Sequence, residues 1–157
     1  MLTRAYADRD HVALVGFRGT EAEVLLPPTR SLVMTKRRLG DAPGGGGTPL
    51  ASGLRAAFDL AERANYAGMT PYIVTLTDGR ANVALNGEGD RAQAAEDALA
   101  QAKMIAEAGL GAAVIDTGKR PEPTLSRLAA AMDARYAPLP FANSAAVASA
   151  ITDALDR

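Results

Sequence analysis

Two short segments carry the residue types that could do chemistry. The first is Gly44-Gly45-Gly46-Gly47-Thr48-Pro49 and the second is Thr77-Asp78-Gly79-Arg80-Ala81-Asn82. Consecutive glycines lose more conformational freedom on folding than other residues, so such a run implies backbone that must approach something closely. A phosphate is one candidate, because N–H groups at the start of a helix favour anions. No lysine follows the glycines, so the Gly-Lys-Ser/Thr ending of a phosphate-binding loop is missing. The preceding segment is basic and reads as helix, which argues against a dinucleotide fingerprint as well. The plain alternative is a flexible turn with Thr48 capping the next helix. In the second segment, Asp78 follows an apolar run. A carboxylate in that position projects from a sheet edge into a crevice, or else closes an Asx turn or caps a helix. Together, a hydroxyl at a helix start and a carboxylate at the end of the next strand are hard oxygen donors of the kind that suits Mg²⁺.

Other charged residues invite plainer readings. His11, the one histidine, opens a strand and reads as structural. Arg18, Asp116 and the Asp8-Arg9-Asp10 cluster read as turn and surface charges.

The elements that must position these groups follow from the hydrophobic pattern. Met1 to Arg9 reads as the tail of a helix. His11 to Phe17 is a short apolar run of the buried-strand type. Arg18-Gly19-Thr20 is a turn and Glu21 to Leu26 a second strand, which together predict a hairpin that Pro27-Pro28 stops. Ser31 caps a helix through Leu39, whose Lys36-Arg37-Arg38 run reads as a solvated face, with a partner surface as the alternative. Thr48 or Ser52 opens a helix with Leu50, Leu54, Phe58 and Ala61 on one face. Tyr72 to Leu76 is β-branched and predicts a fully buried strand. Asp90 to Gly109 is an alanine-rich helix with Ala92, Ala95, Leu99, Ala102 and Ile105 as its apolar stripe. Leu110 to Ile115 is another buried strand, Thr124 to Met132 a helix, and Arg135 to Leu139 a short last strand. Asn143 or Ser144 caps a final helix to Leu155. Strands separated by helices predict an α/β fold with a mostly parallel sheet, whose ligands bind beyond the carboxyl ends of the strands.

Composition narrows the function classes. The 157 residues and 16.2 kDa suit one domain. A net charge of -1 excludes nucleic-acid binding through bulk positive charge. The lack of cysteine excludes disulfide scaffolds, thiolate zinc sites and cysteine nucleophiles, and the single histidine argues against a Ser-His-Asp triad. No apolar run approaches the ~20 residues of a membrane span, and the N-terminus has no signal-peptide pattern. A cytoplasmic protein is expected.

Four segments, Val-Gly-Phe-Arg-Gly at 15–19, Glu-Val-Leu-Leu-Pro-Pro-Thr-Arg-Ser at 23–31, Gly-Gly-Gly-Gly-Thr-Pro-Leu-Ala-Ser-Gly-Leu at 44–54 and Val-Thr-Leu-Thr-Asp-Gly-Arg-Ala-Asn at 74–82, resemble the von Willebrand factor A (integrin I) domain. More narrowly, they resemble the C-terminal domain of the D-subunit family of magnesium chelatases. The resemblance runs from about Val12 to Leu155. It implies a Rossmann-like sheet of order 3-2-1-4-5-6 and a metal-ion-dependent adhesion site built from three loops. By resemblance Thr48 and Asp78 are metal ligands for Mg²⁺, and Gly46, Gly47, Gly79, Arg80 and Asn82 lie on the partner-binding surface. The family's first loop, Asp-x-Ser-x-Ser, has no counterpart in this sequence. Residues 1–157 are therefore expected to be a single, N-terminally incomplete domain. Its absent first strand would lie between the His11 strand and the Tyr72 strand.

The resemblance further implies a docking or adaptor role in the ATP-dependent complex that inserts Mg²⁺ into protoporphyrin IX for (bacterio)chlorophyll biosynthesis. The implied partners are the AAA+ I subunit, which hydrolyses ATP, and the porphyrin-binding H subunit, in a ring hetero-oligomer. ATP would bind elsewhere in the complex, and this domain would be a non-catalytic part of the ligase. The alternative is an A-domain adaptor of another AAA+ complex, such as a cobalt chelatase. A third reading is a small α/β enzyme that binds phosphate at the glycine loop.

Overall fold

The computed structural model describes residues 10–41, 46–141 and 143–155. The helix tail expected over 1–9, Asp8 and Arg9 with it, and Gly44 and Gly45 of the glycine run lie outside the described residues.

β1 (Val12–Arg18) and β2 (Glu21–Thr29) form the expected antiparallel hairpin. Its loop is Gly19-Thr20, with a φ of 68° at Gly19. A left-handed first position followed by an ordinary one is the II′ pattern, which glycine favours and whose twist matches the strands. The expected stop at Pro27-Pro28 does not occur. The register slips between the pairs Val12↔Thr29 and Leu14↔Leu26, so the prolines fall in a bulge where a missing N–H breaks no ladder bond. β1 is also not fully buried: its residues are half-buried or exposed. Among the described residues it pairs on one side only, with β2.

Ser31 caps α1 (Leu32–Asp41), its hydroxyl accepting the Met34 N–H at 3.3 Å. Arg37 and Arg38 are exposed, as a solvated face requires. α2 (Leu50–Tyr66) buries Leu50, Leu54 and Ala61, with Phe58 against the same core. Neither Thr48 nor Ser52 caps it, because Pro49 holds the cap position without a side-chain hydrogen bond. Ser52 instead accepts the Ala22 N–H of β2 at 2.8 Å. Phe17 of β1 lies so close to Gly53 that an added Cβ would come within 2.8 Å of its ring. The hairpin is thus fastened to α2 by one hydrogen bond and one ring-on-glycine contact.

β3 (Tyr72–Thr77), β4 (Gly111–Asp116) and β5 (Arg135–Pro138) form the expected parallel sheet, in the order β3-β4-β5. α3 (Arg91–Glu107) and α4 (Pro123–Ala131) are its crossovers, and α5 (Ser144–Leu155), capped by Asn143, follows. β4, paired on both sides, is buried from Ala112 to Asp116. β3 alternates instead, with Ile73, Thr75 and Thr77 buried and Leu76 42% exposed. Only one of its edges is paired among the described residues. The core lies between this sheet and α2, α3 and α4, around Leu54, Ile105, Val114, Leu125 and Met132.

The stripe of α3 agrees with the expected one at Ala102 and Ile105 and differs from it in the first half of the helix. Ala94, Ala98, Ala102 and Ile105 are buried, whereas Ala92 and Ala95 are exposed. Alanines crowd several faces of this helix, so its pattern cannot set its rotation. The large residue Ile105 and the contacts of α2 and α4 do. α2 touches both sheets, and no ladder joins β1 to β3 among the described residues.

Candidate functional site at the carboxyl edge of the sheet

The last two residues of the glycine run, Gly46 and Gly47, are glycine because backbone meets backbone there. Gly46 takes a φ of 84°. A Cβ on Gly47 would lie 2.6 Å from the carbonyl oxygen of Gly19 and 2.8 Å from Cγ2 of Val83. The partner of the loop is therefore the hairpin turn of the protein itself. Two hydrogen bonds then lock this loop to the one after β3. The Thr48 N–H donates to Oδ1 of Asn82 at 2.7 Å, and the Asn82 N–H donates to the Thr48 carbonyl at 3.2 Å. The Thr48 N–H that a phosphate would have used is occupied. Its hydroxyl makes no hydrogen bond among the described residues.

Asp78 follows the last residue of β3 and is exposed. Its carboxylate likewise makes no hydrogen bond among the described residues. Gly79 turns the chain with a long contact, its N–H 3.4 Å from the Thr77 hydroxyl. Arg80, expected to face a partner, donates its Nε–H to Oε2 of Glu122 at 2.9 Å while remaining 63% exposed. That hydrogen bond holds the Glu122 carboxyl below the ordinary glutamate range. The structure thus joins Gly47, Thr48 and Asn82 in one clamp and ties Arg80 to a different loop. On the loop after β3, Asp78 comes just before both anchors, Arg80 and Asn82.

Asp116 was not legible as important. It reads as a surface charge, yet it is 1% exposed. Oδ1 accepts the Gly118 N–H at 3.0 Å, and Oδ2 accepts the Glu122 N–H at 2.8 Å and the Tyr136 hydroxyl at 2.7 Å. Asp116 is buried because the segment after β4 folds back over it, with the Gly118 and Glu122 N–H groups on its carboxylate, and Tyr136 reaches it from the neighbouring strand β5. The signal that could have found it is an acid ending the wholly apolar run Leu110 to Ile115. Burial first, and then the Asp116 carboxylate, push the Tyr136 phenol up to about 12. A raised phenol favours the protonated form in the native state. Its contribution to stability is complete below the free-phenol value near pH 10 and is lost as pH rises toward 12. Tyr136→Phe should remove the latest step of an alkaline tyrosinate absorbance titration.

The donors at this edge match a hard cation in type, since Thr48 offers a hydroxyl and Asp78 a carboxylate. In number they leave most of an octahedral shell to water or to groups from elsewhere. No group of three His, Cys, Asp or Glu side chains that could hold a metal occurs among the described residues. A hollow of about 470 Å³ runs along the hairpin, lined by Leu14, Phe17 and Leu25, and neither Thr48 nor Asp78 lines it. No helix among the described residues is long and apolar enough to cross a membrane.

Comparison with known proteins gives a consistent picture. The von Willebrand factor type A domain family matches residues 1–80. The chain is 58% identical to the magnesium-chelatase 60 kDa subunit of Cereibacter sphaeroides, over 92% of this chain and 26% of that protein. It is 52% identical to the magnesium-chelatase 60 kDa subunit of Rhodobacter capsulatus, over 99% of this chain and 28% of that protein. The chain therefore spans about a quarter of the length of these relatives. Among solved structures, the von Willebrand factor A domain of SpRpn10 superposes with a TM-score of 0.70 at 13% identity, covering 91% of this chain and 72% of that one. At that identity the likeness speaks to the fold.

Proposed function

Because the chain belongs to the von Willebrand factor type A domain family, we propose that it is a docking domain of a magnesium-chelatase subunit. One observation carries this reading: 58% identity to a magnesium-chelatase subunit, sustained over 92% of the chain. The same finding disfavours a cobalt-chelatase adaptor. The domain itself has no catalytic role here. It joins, in the cytoplasm, an AAA+ subunit that hydrolyses ATP and a subunit that holds the porphyrin, in a ring assembly. The clamp between Thr48 and Asn82 and the hydrogen bond between Arg80 and Glu122 hold two oxygen donors on an open edge, which suits a macromolecular contact better than a small-molecule pocket.

Thr48 and Asp78 would hold Mg²⁺ at this edge, and the bound cation would supply charge that a partner carboxylate can meet. Gly46, Gly47, Gly79, Arg80 and Asn82 shape the surface around it. Asn82 acts from beneath, by holding Thr48, and the other metal ligands come from outside the described residues. A central strand between β1 and β3, complementing a single incomplete domain, would pair the edge of β1 and the edge of β3 that meet no strand among the described residues.

The test uses the full-length subunit. Asp78→Ala and Thr48→Ala should each weaken Mg²⁺-dependent binding to the partner subunits by at least about tenfold, the scale on which changes at metal sites act. ATP hydrolysis by the AAA+ partner should stay within about twofold of wild type, a shift of under ~0.5 kcal/mol. Unchanged binding and chelation in both variants would defeat the proposal.

A further inference from the structure

We infer that Asp116 is a positioning residue for the Asp78 loop, acting through Glu122 and Arg80. Four hydrogen bonds converge on it. Its carboxylate accepts from Gly118, Glu122 and Tyr136, and its carbonyl accepts the Leu139 N–H at 2.7 Å. Every side-chain partner is a donor, so the group serves purely as an acceptor, which is what a carboxylate offers and an amide cannot. A structure that needed only to fill this spot would use an apolar residue, because burying a carboxylate is costly unless its hydrogen bonds are satisfied.

These bonds fold residues 117–122 back toward β3, where they grip the Asp78 loop on both sides. Before Asp78, the Thr117 N–H donates to the Thr77 carbonyl at 3.0 Å. After it, Glu122 holds Arg80 at 2.9 Å. Between the two, Gly118 sits so close that an added Cβ would lie 3.2 Å from the Asp78 carbonyl oxygen. Glu122 is itself fixed for the task. Its N–H is bound by Asp116 at 2.8 Å, and its Oε1 accepts from the Thr124 N–H at 3.3 Å and hydroxyl at 3.1 Å. The path from Tyr136 through Asp116 and Glu122 to Arg80 is continuous, and each link is a hydrogen bond. Its functional weight rests on the metal-docking reading above, whereas the mechanical coupling does not.

Amide hydrogen exchange on the full-length subunit tests the coupling. Glu122→Gln and Tyr136→Phe should each speed exchange across residues 78–81 by about tenfold, while the core amides of β4 stay protected. The exchanged pair, Arg80→Glu with Glu122→Arg, should restore protection, which a general loss of stability would not allow. Wild-type exchange at 78–81 in both single variants, or failure of the exchanged pair to restore it, would overturn the inference. Should Asp116→Ala fail to fold, these variants still decide. A Mg²⁺ titration of the full-length wild-type subunit separates the two readings: no binding, with coupled exchange intact, defeats the metal reading and supports the coupling.

Discussion

Gly47→Ala should destabilise the chain by about 3 kcal/mol, the upper part of the range for overpacking, whereas Gly79→Ala should stay within about 0.5 kcal/mol. Both glycines belong to the candidate site, but their surroundings differ. A methyl on Gly47 meets the Gly19 carbonyl at 2.6 Å and Val83 at 2.8 Å, and one on Gly79 meets nothing within 4 Å. The Gly19 carbonyl cannot rotate away as a side chain could, since it belongs to a two-residue turn fixed by Arg18↔Glu21 pairing. Relief must come from moving the hairpin or the loop. Moving the loop strains the two bonds between Thr48 and Asn82, so Gly47→Ala should also impair any function of Thr48. Urea unfolding of the two variants checks this, read as a shift in midpoint at constant slope.

Asp116→Ala should cost on the order of 3–5 kcal/mol, because it strands three donors at once and each costs about 1–3 kcal/mol when buried without a partner. Gly118 and Glu122 lie on a loop and regain water partly by moving, which keeps the total below the simple sum. The Tyr136 hydroxyl has less freedom, as it comes from a strand, β5, held in the ladder with β4. Tyr136→Phe removes one donor and its need together, so it should cost only about 1 kcal/mol. Asp116→Asn should fall between the two, since its amide turns one acceptor into a donor facing a donor. The ordering Ala, Asn, then Tyr136→Phe in denaturant midpoint is the check. Equal effects would mean that volume, and not hydrogen bonding, sets the cost.

Much of this was legible in the residues. The apolar runs gave β1, β3, β4 and β5, and Gly19-Thr20 gave the hairpin, because each rests on local chemistry. Ser31 and Asn143 were readable as caps for the same reason. The errors share a different cause. Ser52 looks like a cap, yet its hydroxyl is used by Ala22, 30 residues away. The alanines of α3 carry too little contrast to show which face is inward. Pro27 and Pro28 look like a stop, and only the register with β1 shows that a bulge holds them.

For the site, the sequence by itself determined which atoms are available: a hydroxyl at Thr48, a carboxylate at Asp78, and glycines where backbone must pass closely. Residue type alone fixes such chemistry. Only the tertiary structure decided what those residues touch. It made Gly46 and Gly47 a seat for the Gly19 turn and turned Asn82 into the clamp on Thr48. It also moved Asp116 from the surface to a buried position that accepts four hydrogen bonds. The physical reason is range. Caps and turns are settled within a few residues, but burial and hydrogen-bond partners at a sheet edge depend on which strands lie side by side, and β3, β4 and β5 come from segments tens of residues apart in the chain.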